Sequence, residues 1–155
     1  MATAEERIRE LGLTLPAPRI PAGSDHVPYV RTGNLVFVGG DVSRRPGGSV
    51  LTGKLGEDMT TEEGYQAARG IVLSVLATVR SAVGDLEKVV RVVRVFGMVN
   101  ATPSFAEHAQ VINGASDLLV EIFGERGRHS RAAVGMSSLL EGAAVSFESV
   151  FEVRD

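Results

Sequence analysis

The run Val89-Val-Arg-Val-Val-Arg-Val95, set within Leu86 to Val99, constrains the fold of this chain more than any other segment. Five of its seven residues are valine, stiff about χ1 and suited to a pleated surface. It lacks the clean apolar–polar alternation of a strand with one wet face, so it reads as a strand buried on much of both faces. Such a strand sits inside a sheet and needs covering layers. The flanking sequence supplies them. Thr60-Thr-Glu-Glu63 has the capping-box pattern, and Ala68, Ile71, Val72, Val75, Val79 and Val83 then recur at helical spacing before Gly84. Beyond the strand, Thr102-Pro103 predicts the start of a second helix. Its expected stripe is Phe105, Ala109, Ile112, Ser116, Leu119 and Phe123, closed by Gly124.

The other elements are shorter. Val27 to Arg31 and Leu35 to Val38 flank Thr32-Gly33-Asn34, a hairpin signal. Gly39-Gly40-Asp41 then interrupts the second strand as a bulge or a close backbone approach. Arg44 to Gly56 predicts an exposed loop or a short irregular hairpin. Arg131 to Met136 and Ala144 to Val153 are the last strands, joined by Ser137 to Ala143. The order β-β-α-β-α-β-β is of the α+β class, in one domain over 1–155. Residues 1–22 form an N-terminal arm, with a short helical segment from Ala4 to Leu11 and an extended Leu13-Thr-Leu-Pro-Ala-Pro18. Two helices cover one face of a sheet. Val145, Phe147 and Phe151 put apolar groups on one face of the last strand, and Val89, Val93 and Val95 suggest similar richness elsewhere. The face that the helices leave needs cover from a neighbouring copy, so a closed homo-oligomer is expected.

Composition narrows the function. Without cysteine there is no disulfide framework, thiolate zinc site or cysteine nucleophile. His26, His108 and His129 are too scattered for a paired-ligand motif, so no metal is expected. A net charge of −3 and the lack of Trp argue against a nucleic-acid partner. The N-terminus lacks the apolar core of a signal peptide and no apolar run has membrane-spanning length, so a cytoplasmic protein without a membrane partner is expected.

Arg131, in Gly127-Arg-His-Ser-Arg-Ala-Ala-Val-Gly135, lies where a loop ends and a strand begins. Its planar fork can hold a carboxylate by two parallel hydrogen bonds, or it can pair with a nearby acid on the surface. Asn113 borders the stripe of the second helix and fits an interface hydrogen bond or a site role. Tyr29 fits a buried structural tyrosine or a ligand contact. His129, Arg126 and Arg128 read as solvated loop residues, and Arg91 and Arg94 as lying on opposite faces of the central strand.

Several segments together resemble one family. They are Pro28-Tyr29 ahead of Gly33-Asn34-Leu-Val-Phe-Val-Gly-Gly40, Ser130-Arg131-Ala-Ala-Val-Gly135 before the last strand, Gly12 to Pro16, and Asn113 to Leu119. They are similar to the RidA/YjgF family of enamine/imine deaminases, also labelled endoribonuclease L-PSP, in its longer branch with an N-terminal Gly-Leu-Thr-Leu-Pro arm. The resemblance implies a chorismate-mutase-like fold assembled as a homotrimer around a central barrel, with a cleft at each subunit interface. It implies that Arg131 grips the carboxylate of a 2-imino acid and that Tyr29 and Asn113 line the cleft. It also implies hydrolysis to a 2-keto acid and ammonia without metal or organic cofactor.

Three positions depart from the family pattern. Gly39 stands at the place of a serine, Ala133 at that of a cysteine two residues after the arginine, and Ser146 at that of a glutamate. The cleft positions Gly39, Ala133 and Ser146 remain candidate substrate contacts. Glu148, on the same strand face as Ser146, is the candidate replacement acid. With a hydroxyl donor and a general base missing, a catalytically silent trimer that binds a small carboxylate stands as the alternative.

Overall fold

The computed structural model describes all 155 residues. Its elements are α1 (Ala4–Glu10), β1 (Tyr29–Thr32), β2 (Leu35–Val42), α2 (Thr61–Val83), β3 (Val89–Asn100), α3 (His108–Phe123), β4 (Ser130–Met136) and β5 (Val145–Val153). The strands form one sheet in the order β1-β2-β5-β3-β4, antiparallel except for the β3–β4 pair. The valine-rich strand lies between β5 and β4, as its composition requires. Both long helices cover the same face, α2 over β2 and β5, α3 over β3 and β4. Between helices and sheet, Val36, Val92, Val95, Val99, Phe147 and Phe151 are fully buried. Each such side chain contributes about 1.5–3 kcal/mol by leaving water.

Local chemistry explains where the helices end. Thr60 caps α2, accepting from the Glu63 N–H while the Glu63 carboxylate reaches back, and Gly84 closes it at φ 88°. The second long helix starts later than Thr102-Pro103 predicts, at His108. The Ala101 N–H donates to the Met136 carbonyl and the Thr102 N–H to that of Leu55, so this backbone is held in extended pairing and cannot enter a helix. Of the expected stripe Ile112, Leu119 and Phe123 are buried, and Val111, Ala115, Leu118 and Ile122 widen it. Ala109 is exposed, and Ser116 is half-buried against Arg131 of β4.

Three further features differ from, or sharpen, the sequence reading. The register of β3 against β5 slips at Val89/Arg91 and again at Val92/Arg94. Arg91 therefore pairs with Glu152 and Arg94 with Val150, which places both arginines on the face away from the helices rather than on opposite faces. The segment 44–56 takes the irregular-hairpin form, with Arg44 bridged to Val50, Thr52 to Ala143 and a fully buried Leu55 to Ala101. The N-terminal arm carries a third helix, α1, whose Ala4 and Ile8 are buried. The Arg7 guanidinium donates to the Ile122 carbonyl and the Glu87 carboxylate accepts from the Ala4 N–H.

The open face of the sheet is apolar at its centre. Val30 is 55% exposed and Phe37 45%, with Phe96 and Val150 half-buried beside them. No helix is long and apolar enough to cross a membrane.

Candidate functional site

Arg131 lies on the helix face of β4, an edge strand, opposite Val95 of β3 in register. Two residues on, Ala133 faces the same way and stands opposite Gly97. A Cβ at Gly97 would come within 2.6 Å of the Ile112 side chain, so glycine there lets α3 settle close to β3 and β4. That approach brings one side of α3 within reach of the guanidinium. Arg131 Nη1 donates to Asn113 Oδ1 at 2.8 Å and to Ser116 Oγ at 3.0 Å, and Nη2 makes a long contact of 3.5 Å with the Ala109 carbonyl.

No carboxylate pairs with this arginine; the ion pairs of the molecule involve Arg31, Arg44, Arg69, Arg80 and Arg126 instead. Of its five N–H donors, Nη1 uses two on α3 and Nη2 spends one on the long Ala109 contact, leaving Nε and the second Nη2 N–H for a carboxylate. Arg131 lines an open groove of about 570 Å³ together with Asn113, Ser116, Asp117, His129 and Arg128, among others. The acids at its rim are held by α2. Asp117 accepts from the Tyr65 hydroxyl at 2.7 Å and Glu121 pairs with Arg69 at 2.8 Å.

Ser116 and His129 complete the arrangement, and the sequence reading had assigned a site role to neither. His129 is half-buried rather than solvated. Its Nδ1 lies 2.6 Å from the Gly127 carbonyl oxygen, which only accepts, so Nδ1 carries the proton. Nε2 lies 2.9 Å from Ser116 Oγ. Burial, then the nearby Arg131 charge, lower the His129 pKa from its ordinary 6.5 against the opposing pull of the Gly127 carbonyl. Neutral His129 therefore accepts from the Ser116 hydroxyl, which in turn accepts from Arg131. Two signals could have found the pair: Ser116 falls three residues after Asn113 on a helix, and His129 two residues before Arg131. Arg126 is no free loop cation either. It donates to the Val89 carbonyl at 2.6 Å, pairs with Glu87 and covers the Phe123 ring, while Arg128 remains at the groove.

The other candidate positions lie elsewhere in the chain. Tyr29 is on β1, at the opposite edge of the sheet, about 19 Å from β4 by four strand spacings. Gly39 lies in the β2 bulge, where its N–H donates to the Pro28 carbonyl at 3.0 Å. Glu148 and Ser146 face the open side of β5, away from Arg131, and the Ser146 hydroxyl donates to the Asp41 carbonyl at 2.7 Å. Tyr29, Gly39 and Glu148 share a second hollow of about 260 Å³ with Phe37, Phe96 and Arg94. Within one chain the predicted residues thus form two groups, Arg131–Asn113–Ala133 at one sheet edge and Tyr29–Gly39–Glu148 around the second hollow, with Tyr29 also packed against the core and Ser146 next to this group. No group of three or more His, Cys, Asp or Glu is placed to hold a metal ion.

Comparison with known proteins accounts for this architecture. Residues 5–142 match the family described as "YjgF/chorismate mutase-like, putative endoribonuclease". The chain is 42% identical over 149 residues to Protein TCP17 of Trypanosoma cruzi, spanning 96% of this chain and 92% of that protein. Among solved structures it is similar to Atu1372 of Agrobacterium tumefaciens, a protein of unknown function, at 40% identity and a TM-score of 0.90, covering 99% of this chain and 94% of that one. It is also similar to a "putative endoribonuclease" of Shewanella oneidensis, at 34% identity and a TM-score of 0.92, covering 98% of this chain and all of that one. With its single mixed sheet, its helices and the Arg131 segment in place, the chain belongs to the RidA/YjgF family.

Proposed function

We propose that this protein hydrolyses small reactive 2-imino or enamine acids to 2-keto acids and ammonia, holding the substrate carboxylate on Arg131. The observation that carries this reading is an arginine without an acidic partner, fixed through Nη1 by Asn113 and Ser116, with donors to spare in a groove that it lines. An imine carbon is already electrophilic, so positioning of substrate and water supplies much of the catalysis. A charge-assisted hydrogen bond to the carboxylate contributes about 1.5–3 kcal/mol. Membership of the family adds the expected substrate class.

The same reading assembles three copies around the open face of the sheet. In that arrangement the Tyr29–Gly39–Glu148 group of one copy meets the Arg131 edge of the next, completing a cleft with Ser146 close by. The exposed Val30 and Phe37 and the unpaired edges of β1 and β4 support it. A binding trimer without turnover is favoured by one feature: the Ser146 hydroxyl is committed to the Asp41 carbonyl, and Gly39 offers no hydroxyl.

The test is the decay of 2-iminobutyrate, generated by a dehydratase, with and without the protein. The proposal expects acceleration by wild type and none by Arg131→Ala. No acceleration by wild type, together with Arg131-dependent binding of 2-ketobutyrate, would establish the binding reading in its place.

A further inference from the structure

A grip on a carboxylate explains Arg131 and Asn113 but not the half-buried histidine beside them. His129 is oriented by the Gly127 carbonyl, which holds the proton on Nδ1 and turns the Nε2 lone pair toward Ser116. Ser116 Oγ lies between that lone pair and the Arg131 guanidinium, 2.9 Å from one and 3.0 Å from the other. A hydroxyl, a base and a third group that orients the base is the arrangement by which proteins move protons to and from a reacting atom. Ser116, His129 and Arg131 all line the same groove, so a molecule held by Arg131 there is next to the hydroxyl.

We propose that Ser116 and His129 form the proton relay of this site, Ser116 contacting the attacking water and His129 acting through it as the terminal base. This assignment rests on the imine-hydrolysis reading above. Water oxygen bonds to the imine carbon and the C=N π pair moves to nitrogen. The water proton passes to Ser116 Oγ as the Ser116 proton passes to His129 Nε2. The imidazolium returns a proton by the same path to the carbinolamine nitrogen. The relay then takes the hydroxyl proton and delivers it to the same nitrogen as the C–N bond breaks, so that C=O forms, ammonia departs with both protons of the water, and the relay ends unchanged. One water is consumed, and one keto acid and one ammonia are released. The relay takes the part of the acid–base group that the strand positions Gly39 and Ser146 do not provide.

The charged groups facing the pair are Arg131 from β4, Asp117 and Glu121 from α3, and Arg128 from the loop of His129 itself. Burial and Arg131 keep the imidazole neutral, hence able to accept, at neutral pH. Turnover therefore falls on the acid side, as pH drops through the lowered histidine value.

The experiment measures the protein-dependent decay of 2-iminobutyrate from about pH 5 to about pH 8. Binding of 2-ketobutyrate is followed in parallel by calorimetry. His129→Gln is expected to lower kcat by about 10²-fold or more and to flatten the acid limb, with KM and keto-acid affinity unchanged. Ser116→Ala is expected to lower kcat comparably, since Asn113 still fixes Arg131. It also reads the same step should the histidine variant fail to fold. Wild-type kcat and pH profile in both variants, alongside an inactive Arg131→Ala, would overturn the relay while leaving the grip intact. No acceleration by wild type at any pH would overturn the relay and the hydrolysis reading together, and the calorimetry would then show whether the grip survives.

Discussion

Five N–H donors make a guanidinium versatile, and what Arg131 can do follows from which of them are already engaged. Three contacts tie it to α3, the one to the Ala109 carbonyl long, and two donors stay free in a residue that lines the groove, so it is positioned without being neutralised. Asp41 illustrates the opposite case, a charge that its surroundings disfavour. Burial raises its pKa above the ordinary 3.8, against the Val42 N–H, Arg44 and Arg19, which favour the ionised form. The stability contributed by a group with a raised folded-state pKa is present below its unfolded value and lost as pH rises through the folded one. Asp41→Asn, which keeps an acceptor for Val42, is therefore expected to raise the urea midpoint modestly at neutral pH. The gain should vanish below about pH 3.8, where both side chains are neutral. A variant less stable than wild type at neutral pH would contradict this. At this scale the meeting of Arg131 with Asn113 was legible through the family resemblance, since residue type alone left both open. His129 was not, because its burial comes from α3 and the Gly127 turn, which sequence spacing does not reveal.

α3 is where element geometry builds the site. In Asn113-Gly-Ala-Ser-Asp117, Asn113 and Ser116 hold Arg131, Asp117 ties to Tyr65 of α2, and Ala115 enters the core. Gly114 faces α2 so closely that an added Cβ would collide with the Tyr65 carbonyl oxygen. Backbone cannot move aside as a flexible side chain can. Gly114→Ala is expected to destabilise the fold by about 1–3 kcal/mol and to weaken 2-ketobutyrate binding by displacing Asn113 and Ser116. Urea denaturation and calorimetry on the same variant check both, and unchanged values would show that the helices do not need this approach. The start of α2 was legible because its capping box is local chemistry. The start of α3 was not, because backbone pairing of Ala101 and Thr102 with Met136 and Leu55 overrides a local cap-and-proline signal. In β3 two register slips defeated simple alternation and gathered Arg91 and Arg94 on one face.

Across the whole molecule, the sheet separates what the proposed reaction needs to bring together. The sequence order and one-sided helical cover were readable from periodicity. That the candidate residues divide between the β4 edge and a second hollow was not, because strand order and the β2 bulge decide it. The proposed trimer would reunite them, with the open face at its centre. Phe37→Glu places a charge among Val30, Phe96 and Val150, and is expected to shift the solution mass from about three times the 16.4 kDa chain toward the monomer. Light scattering at micromolar concentration reads this directly, and a monomeric wild type would contradict the assembly. The role of Arg131 meets its most direct test in calorimetric titration of wild type, Arg131→Lys and Arg131→Ala with 2-ketobutyrate. The account predicts binding to wild type that is weaker by about 10- to 150-fold in the alanine variant. Lysine, lacking the planar fork, should not restore it. Equal affinity in all three proteins would contradict the account.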